Sequence, residues 1–264
     1  MKNRKVIITL GLVAMMMCGS VLHVAAADPD TATATNNKVT FVAGGGEEGT
    51  PVDPEYPDKE IEVEGPDGGQ EVTGNKNSLR IEVIPHFDFG SSAISFNRPT
   101  EYNALIPSST DVESQTRFAH PYFVQIGDYR GTAAGWTLSA SLETTFDSTS
   151  NTLDGAEIWL KNVASETSIS GNKLAPGSHN KGDIKLGHDG LVSSGAVVIA
   201  SAAEEEGNAI TAVRFGDWNT VNGKNNANES VVLHIPAKTA LYAETYTADI
   251  LWTLTNAPTD ISQL

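Results

Sequence analysis

From Ser78 onward apolar side chains return at every second residue, and this period limits what the chain can build. In Leu79-Arg80-Ile81-Glu82-Val83 apolar and charged residues alternate until Pro85 ends the run. Such alternation places one set of side chains on each face of a sheet. Similar runs occupy residues 122–126, 135–143, 156–161, 196–200, 210–215, 231–235 and 245–255. The last is the clearest: Tyr246, Ala248, Ile250, Trp252 and Leu254 point one way, while Thr247, Asp249 and Thr253 point the other. Clusters of Gly, Asn, Ser and Asp separate the runs, and no stretch carries the 3.6-residue period of an amphipathic helix. The expected fold class is therefore all-β, a single antiparallel β-sandwich or barrel-like domain over residues 79–264.

The N-terminal third reads differently. Lys2, Arg4 and Lys5 precede an apolar run over residues 6–22 and the small residues Ala25-Ala26-Ala27, the pattern of an export signal over residues 1–27. The apolar run is near the lower limit for crossing a bilayer, and the Ala triplet followed by polar sequence favours cleavage. Cys18 is the chain's single cysteine. Met15-Met16-Met17 offers none of the small residues that lipid attachment at Cys18 would need. With Cys18 removed, the mature chain has no disulfide, zinc–thiolate site or cysteine nucleophile. Residues 28–78 contain five prolines, eight glycines and twelve acidic residues. That composition buries too little apolar surface to offset chain entropy, so this stretch is expected to be a disordered acidic linker, and a chain starting near Ser78 to fold alone. Ile61-Glu62-Val63 is a possible exception, able to pair as an edge strand.

Net charge excludes one class of partner. The signal holds three basic and no acidic residues, which leaves 14 Lys plus Arg against 33 Asp plus Glu, a formal −19. Nucleic acid is not an expected partner. Polyanionic surfaces are repelled over a Debye length of about 8–10 Å, so contact with one would need short-range interactions or divalent cations.

Two segments share a Trp-x-Leu pattern: Trp136-Thr137-Leu138 in GWTLSASLE, and Trp252-Thr253-Leu254 in ADILWTLTNAP. SLRIEVIPHFDFGSSAI, with its Phe-Asp-Phe-Gly turn, HPYFVQIGDYRGTAAGWTLSASL, LDGAEIWLKN and YTADILWTLTNAP follow one another from Leu79 to Pro258. This ordered set resembles the WxL family of surface proteins of low-GC Gram-positive bacteria. One step departs from the family pattern: Ala209 to Gly216 has no Trp before Phe215, and Trp218 follows instead. The resemblance implies a secreted protein held non-covalently at the cell wall. The implied partners are peptidoglycan or a membrane-anchored WxL-interacting surface protein, with small sortase-anchored proteins as further members of a complex. No LPxTG precedes Leu264, so sortase is not expected to anchor this chain.

Trp136 and Leu138 share one strand face, as do Trp252 and Leu254. An indole there can cover the apolar face of a sugar ring or fill the core. Because Ala140, Leu142, Ala248 and Ile250 continue the same faces, the core reading is preferred for both motifs. Asp128-Tyr129-Arg130 falls in a connecting loop, where binding residues concentrate. Arg130 would either grip a carboxylate of a ligand bidentately or pair with Asp128 inside the turn. Asp88, between Phe87 and Phe89, suits turn stabilisation.

Catalytic residues are not expected. His86, His120, His179, His188 and His234 lack metal-ligand spacing, and Gly-x-Ser-x-Gly and His-Glu-x-x-His are absent. Asp183, His188 and Asp189 read better as a solvated loop than as a metal or acid–base cluster. Residues 217–223 resemble a calcium loop with its glycine one position late. No cofactor and no metal are expected. A host-directed adhesin or polysaccharide-binding module is the alternative function, marked by an exposed aromatic platform; a wall-degrading enzyme would need paired carboxylates in a cleft.

Overall fold

The computed structural model describes residues 38–65, 69–95, 99–169, 173–174, 178–187, 195–221 and 227–261, and the signal segment lies outside them. The chain divides into two compact units, residues 1–41 and 42–264. Residues 38–41 of the first are described, with Val39 and Phe41 exposed.

The second unit runs β1 (Ile61–Val63), β2 (Gln70–Val72), β3 (Leu79–Pro85), β4 (Glu101–Leu105), β5 (Ser108–Asp111), β6 (Arg117–Ala119), β7 (Tyr122–Asp128) and β8 (Trp136–Leu142). It continues with β9 (Glu157–Leu160), β10 (Val163–Thr167), β11 (Ile184–Gly187), β12 (Val197–Ala202), β13 (Ala209–Phe215), the short helix α1 (Trp218–Val221), β14 (Ala227–His234) and β15 (Ile250–Thr255). Among the described residues four sheets result, ordered β10-β13-β7-β3-β2, β11-β9-β14-β4, β12-β8-β15 and β1-β5-β6. Their pairings are antiparallel. The all-β expectation holds, and each run of alternating residues holds a strand.

The main core forms where the inward faces of these sheets meet. Tyr122, Val124 and Ile126 of β7 pack with Trp136, Leu138, Ala140 and Leu142 of β8 and with Ile158, Leu160, Val231 and Leu233. Strand β7 is buried along its whole length, because its other face is covered too. There Phe123, Val83 and Ala212 meet Ile61 of β1 in a second cluster.

That second cluster changes the reading of residues 42–78. Ile61 is buried, as is Val52; β1 pairs with β5 and β2 with β3. Gln125 on β7 accepts from Val52 N at 2.9 Å and donates to Thr50 O at 2.8 Å and to Glu82 Oε2 at 2.7 Å. Gly49 is required here, since a Cβ would lie 2.1 Å from the Glu82 carboxyl carbon. The stretch expected to be a disordered linker up to Ser78 is thus packed on the domain from residue 42. A few apolar side chains and buried polar partners, hidden in an acidic average, fix it there. Ile61-Glu62-Val63 does pair as an edge strand.

The final run is shorter than its pattern. Regular pairing begins at Ile250, while Tyr246 and Ala248 still pack on the core. Thr247 instead exchanges backbone hydrogen bonds with Asp147, both 2.9 Å.

Candidate functional site: an aromatic groove at the second Trp-x-Leu

The two Trp-x-Leu segments lie on neighbouring strands. β15 pairs with β8 so that Leu254 faces Leu138 and Trp252 faces Ala140. Because the strands are antiparallel, the two tryptophans do not face each other: Trp252 lies opposite Ala140, four residues along β8 from Trp136. Trp136 is fully buried, and its indole N–H donates to Gly207 O at 3.0 Å. A Cβ at Gly207 would come within 2.5 Å of that indole nitrogen, so the bare backbone is what permits the contact. Trp252 is half-buried, with its ring 6.0 Å from Phe215.

Trp252 opens onto a groove of about 930 Å3. One wall is the segment after β3. Phe87 meets Tyr122 edge-on at 4.9 Å and Phe89 at 6.5 Å, and Phe89 meets Phe146 at 6.3 Å. Aromatic rings therefore run from Phe146 through Phe89, Phe87 and Phe215 to Trp252. The Phe-Asp-Phe-Gly turn is held by Gly90 N donating to Asp88 Oδ1 at 2.7 Å and by Leu105 N donating to Asp88 O at 2.7 Å. Burial pushes the Tyr122 hydroxyl up to about 12, against an opposing hydrogen bond with the Asp88 backbone.

The facing wall is residues 241–250. Tyr242 N donates to Tyr246 Oη at 3.1 Å, and Asp249 N to Thr144 Oγ1 at 2.8 Å. Glu244 accepts from the Ser148 hydroxyl, and hydrogen bonds from Ser148 and Ser150 hold its carboxyl below the usual range. Leu153, Ile158, Leu233 and Ile235 make an aliphatic floor. Asp88, Glu244 and Asp249 bring carboxylates to the lining, which among the described residues contains no Lys or Arg. Its histidine, His86, lies 2.7 Å from Glu71 Oε2. Across Tyr242 lies a polar cleft lined by Asp147, Ser148, Asn151 and Lys238.

Asp128, Tyr129 and Arg130 sit elsewhere and bind one another's surroundings. Arg130 donates to Asp128 Oδ1 at 2.9 Å and Oδ2 at 2.7 Å, and to Gly135 O at 2.6 Å. The bonds to Asp128 hold its pKa above the usual arginine value. Arg80 lies 4.5 Å from the Tyr129 ring centroid, and burial, followed by the nearby Glu82 charge, pushes the Tyr129 hydroxyl up to about 12. Asp88 stabilises its turn as expected. His188, Asp189 and Gly223 lie outside the described residues; Asp217 instead caps α1, accepting from Thr220 N at 3.0 Å. Among the described residues no group of three His, Cys, Asp or Glu is placed to hold a metal ion, and no helix is long and apolar enough to cross a membrane.

Sequence reasoning missed Phe146, Tyr242 and Ile94 as groove residues. The one available signal was large apolar side chains set in polar loops: Tyr242 is 52% exposed and Ile94 is 54% exposed.

Comparison with curated proteins and with solved structures gave no match. Residues 28–258 match the WxL domain surface cell wall-binding family, a binding family and not a catalytic one, and the chain belongs to it as a cell-wall-binding protein of the cell surface.

Proposed function

We propose that the protein is secreted, has no catalytic activity, and holds to the Gram-positive surface without a covalent bond, using the groove beside Trp252 as its point of attachment. One observation carries this reading. The Phe87–Gly90 turn and the second Trp-x-Leu are far apart in sequence, both belong to the segments that resemble the family, and they meet in one groove. Concave apolar sites with a few placed polar groups are where ligands are usually taken up. The export pattern of residues 1–27 supports secretion. The direct ligand is peptidoglycan or a surface protein of the WxL-interacting kind.

Exposed groove side chains test the assignment without disturbing the core. The double variant Tyr242→Ala, Ile94→Ala should melt like wild type and lose about tenfold in retention on whole cells, equivalent to about 1.4 kcal/mol. Unchanged retention would remove the groove from attachment. The adhesin alternative rests on an exposed aromatic, and Trp218, 41% exposed on α1, is its best candidate. Loss of host-cell binding in Trp218→Ala, with wall retention intact, would favour it.

A further inference from the structure

We infer that the groove takes an extended, apolar segment of a partner protein bearing lysine or arginine, in preference to a glycan strand. The inference rests on the groove being the attachment site, and three separate features of the groove support it.

The floor is the first. Leu153, Ile158, Leu233 and Ile235 carry no side-chain hydrogen-bonding groups, and Phe146 joins them in the lining. A sugar ring presents hydroxyls around its whole rim, and each one facing this floor would give up water without gaining a partner. Leucine, isoleucine, valine or phenylalanine side chains meet no such penalty.

Charge is the second. The lining carboxylates are Asp88, Glu244 and Asp249, and among the described residues no lysine or arginine lines the groove beside them. Asp88 and Glu244 are exposed and held in place, the first by Gly90 N and the second by the Ser148 hydroxyl. An anionic wall polymer is repelled by this rim, whereas ammonium or guanidinium groups complement it.

Backbone geometry is the third. Ile250 and Trp252 line the groove and belong to β15, which pairs with β8 and, among the described residues, ends its sheet. An edge strand offers unpaired main-chain groups to another strand, and strand addition supplies affinity through the backbone while alternate side chains enter pockets. Glycans have no matching repeat of amide donors and carbonyl acceptors. A second copy of this chain is disfavoured by its own strong acidity.

The test uses the full mature chain with three probes: a decapeptide alternating leucine and lysine, its leucine–glutamate counterpart, and soluble muropeptides from protein-free peptidoglycan. The lysine peptide should bind at least about tenfold more tightly than the glutamate peptide. Its affinity should fall about tenfold in Tyr242→Ala, Ile94→Ala. In Asp88→Asn, Glu244→Gln, where both turn acceptors survive, it should fall about fivefold with the melting temperature unchanged. Equal binding of the two peptides, muropeptide binding that needs Tyr242 and Ile94, or self-association through the groove would each overturn the inference. Whole-cell retention separates this from failure of the attachment reading. If wild type stays bound to trypsin-shaved cells while the Tyr242→Ala, Ile94→Ala variant does not, the groove attaches the protein but its ligand is not protein; if the variant is retained everywhere, the groove is not the attachment site.

Discussion

Removing the chain up to Asn77 is the perturbation that most sharply separates composition from packing. Ile61 is 1% exposed and Val52 is 3% exposed; fully burying such side chains contributes about 1.5–3 kcal/mol each, or about 3–6 kcal/mol together. Truncation also uncovers Val83 and Phe123, each 0% exposed, and removes the Thr50 and Val52 backbone partners of Gln125. Opposing this, the shortened chain no longer orders the segment's backbone, so the full apolar figure is an upper bound. Ile61→Ala avoids that complication: the segment stays, a cavity opens against Phe123, and the expected cost is about 2–5 kcal/mol. For a domain of this size each kcal/mol moves the melting temperature by about 2–4 °C. Ile61→Ala should therefore melt about 4–20 °C below the parent in a circular-dichroism scan, and the truncated chain should also melt early and bind a hydrophobic dye. If both melt within about 1 °C of the parent, residues 42–77 contribute nothing to the fold and the packing described above is refuted.

Trp136→Ala should cost about 3–5 kcal/mol in urea denaturation, and Trp252→Ala about half as much because one side of its ring already meets the groove; equal losses would contradict the different burial of the two rings. Arg130→Gln leaves Asp128, whose side chain is 0% exposed, with the backbone N–H of residue 130 but without its guanidinium, and should cost about 2–3 kcal/mol while retention per folded molecule is unchanged; lost retention at wild-type stability would return Arg130 to the binding surface. Burial holds His120 down to about 4 from 6.5, so between those pH values the unfolded chain takes up a proton that the folded chain refuses. Stability from this group is complete above pH 6.5 and should decline by about 1.4 kcal/mol per pH unit toward pH 4; His120→Gln should flatten that slope in acid-titrated unfolding, and an unchanged slope would clear His120 of the effect.

What the sequence made legible follows from how each element is stabilised. β8, whose Trp136, Leu138, Ala140 and Leu142 enter the main core at every second position, could be read directly. In β3 the strand was legible but its faces were not, because a bulge between Ile81 and Val83 sends Val83 to the second cluster while Arg80 and Glu82 are themselves buried. β5, which reads Ser-Ser-Thr-Asp, and β10, which reads Val-Ala-Ser-Glu-Thr, could not be read at all, because pairing with neighbours and not apolar content holds them. Residues 42–78 misled for a related reason. Gln125 and Glu82 stabilise that segment through specific polar bonds, and nothing local to either residue announces a partner more than forty positions away. At the groove, Phe87, Phe89 and Trp252 were visible as motif residues. Their convergence with Phe146 and Tyr242 depends on sheet topology, which alternation alone does not specify.

The strong acidity of the chain and its attachment to a surface rich in anions are compatible if range is considered. Net charge acts over about a Debye length, 8–10 Å at moderate salt, and governs approach; in the proposed mode of attachment, affinity is decided within the groove, where apolar contact and backbone pairing operate over a few ångströms. The Trp-x-Leu repeat sits where these demands divide. One copy, sealed by Gly207 at the far end of β8, holds the sheet together. Its counterpart on β15 uses Leu254 to continue the core and leaves Trp252 at the groove. Antiparallel pairing of two near-identical segments thus makes one tryptophan structural and leaves the other available for contact, a division that neither motif shows when read alone.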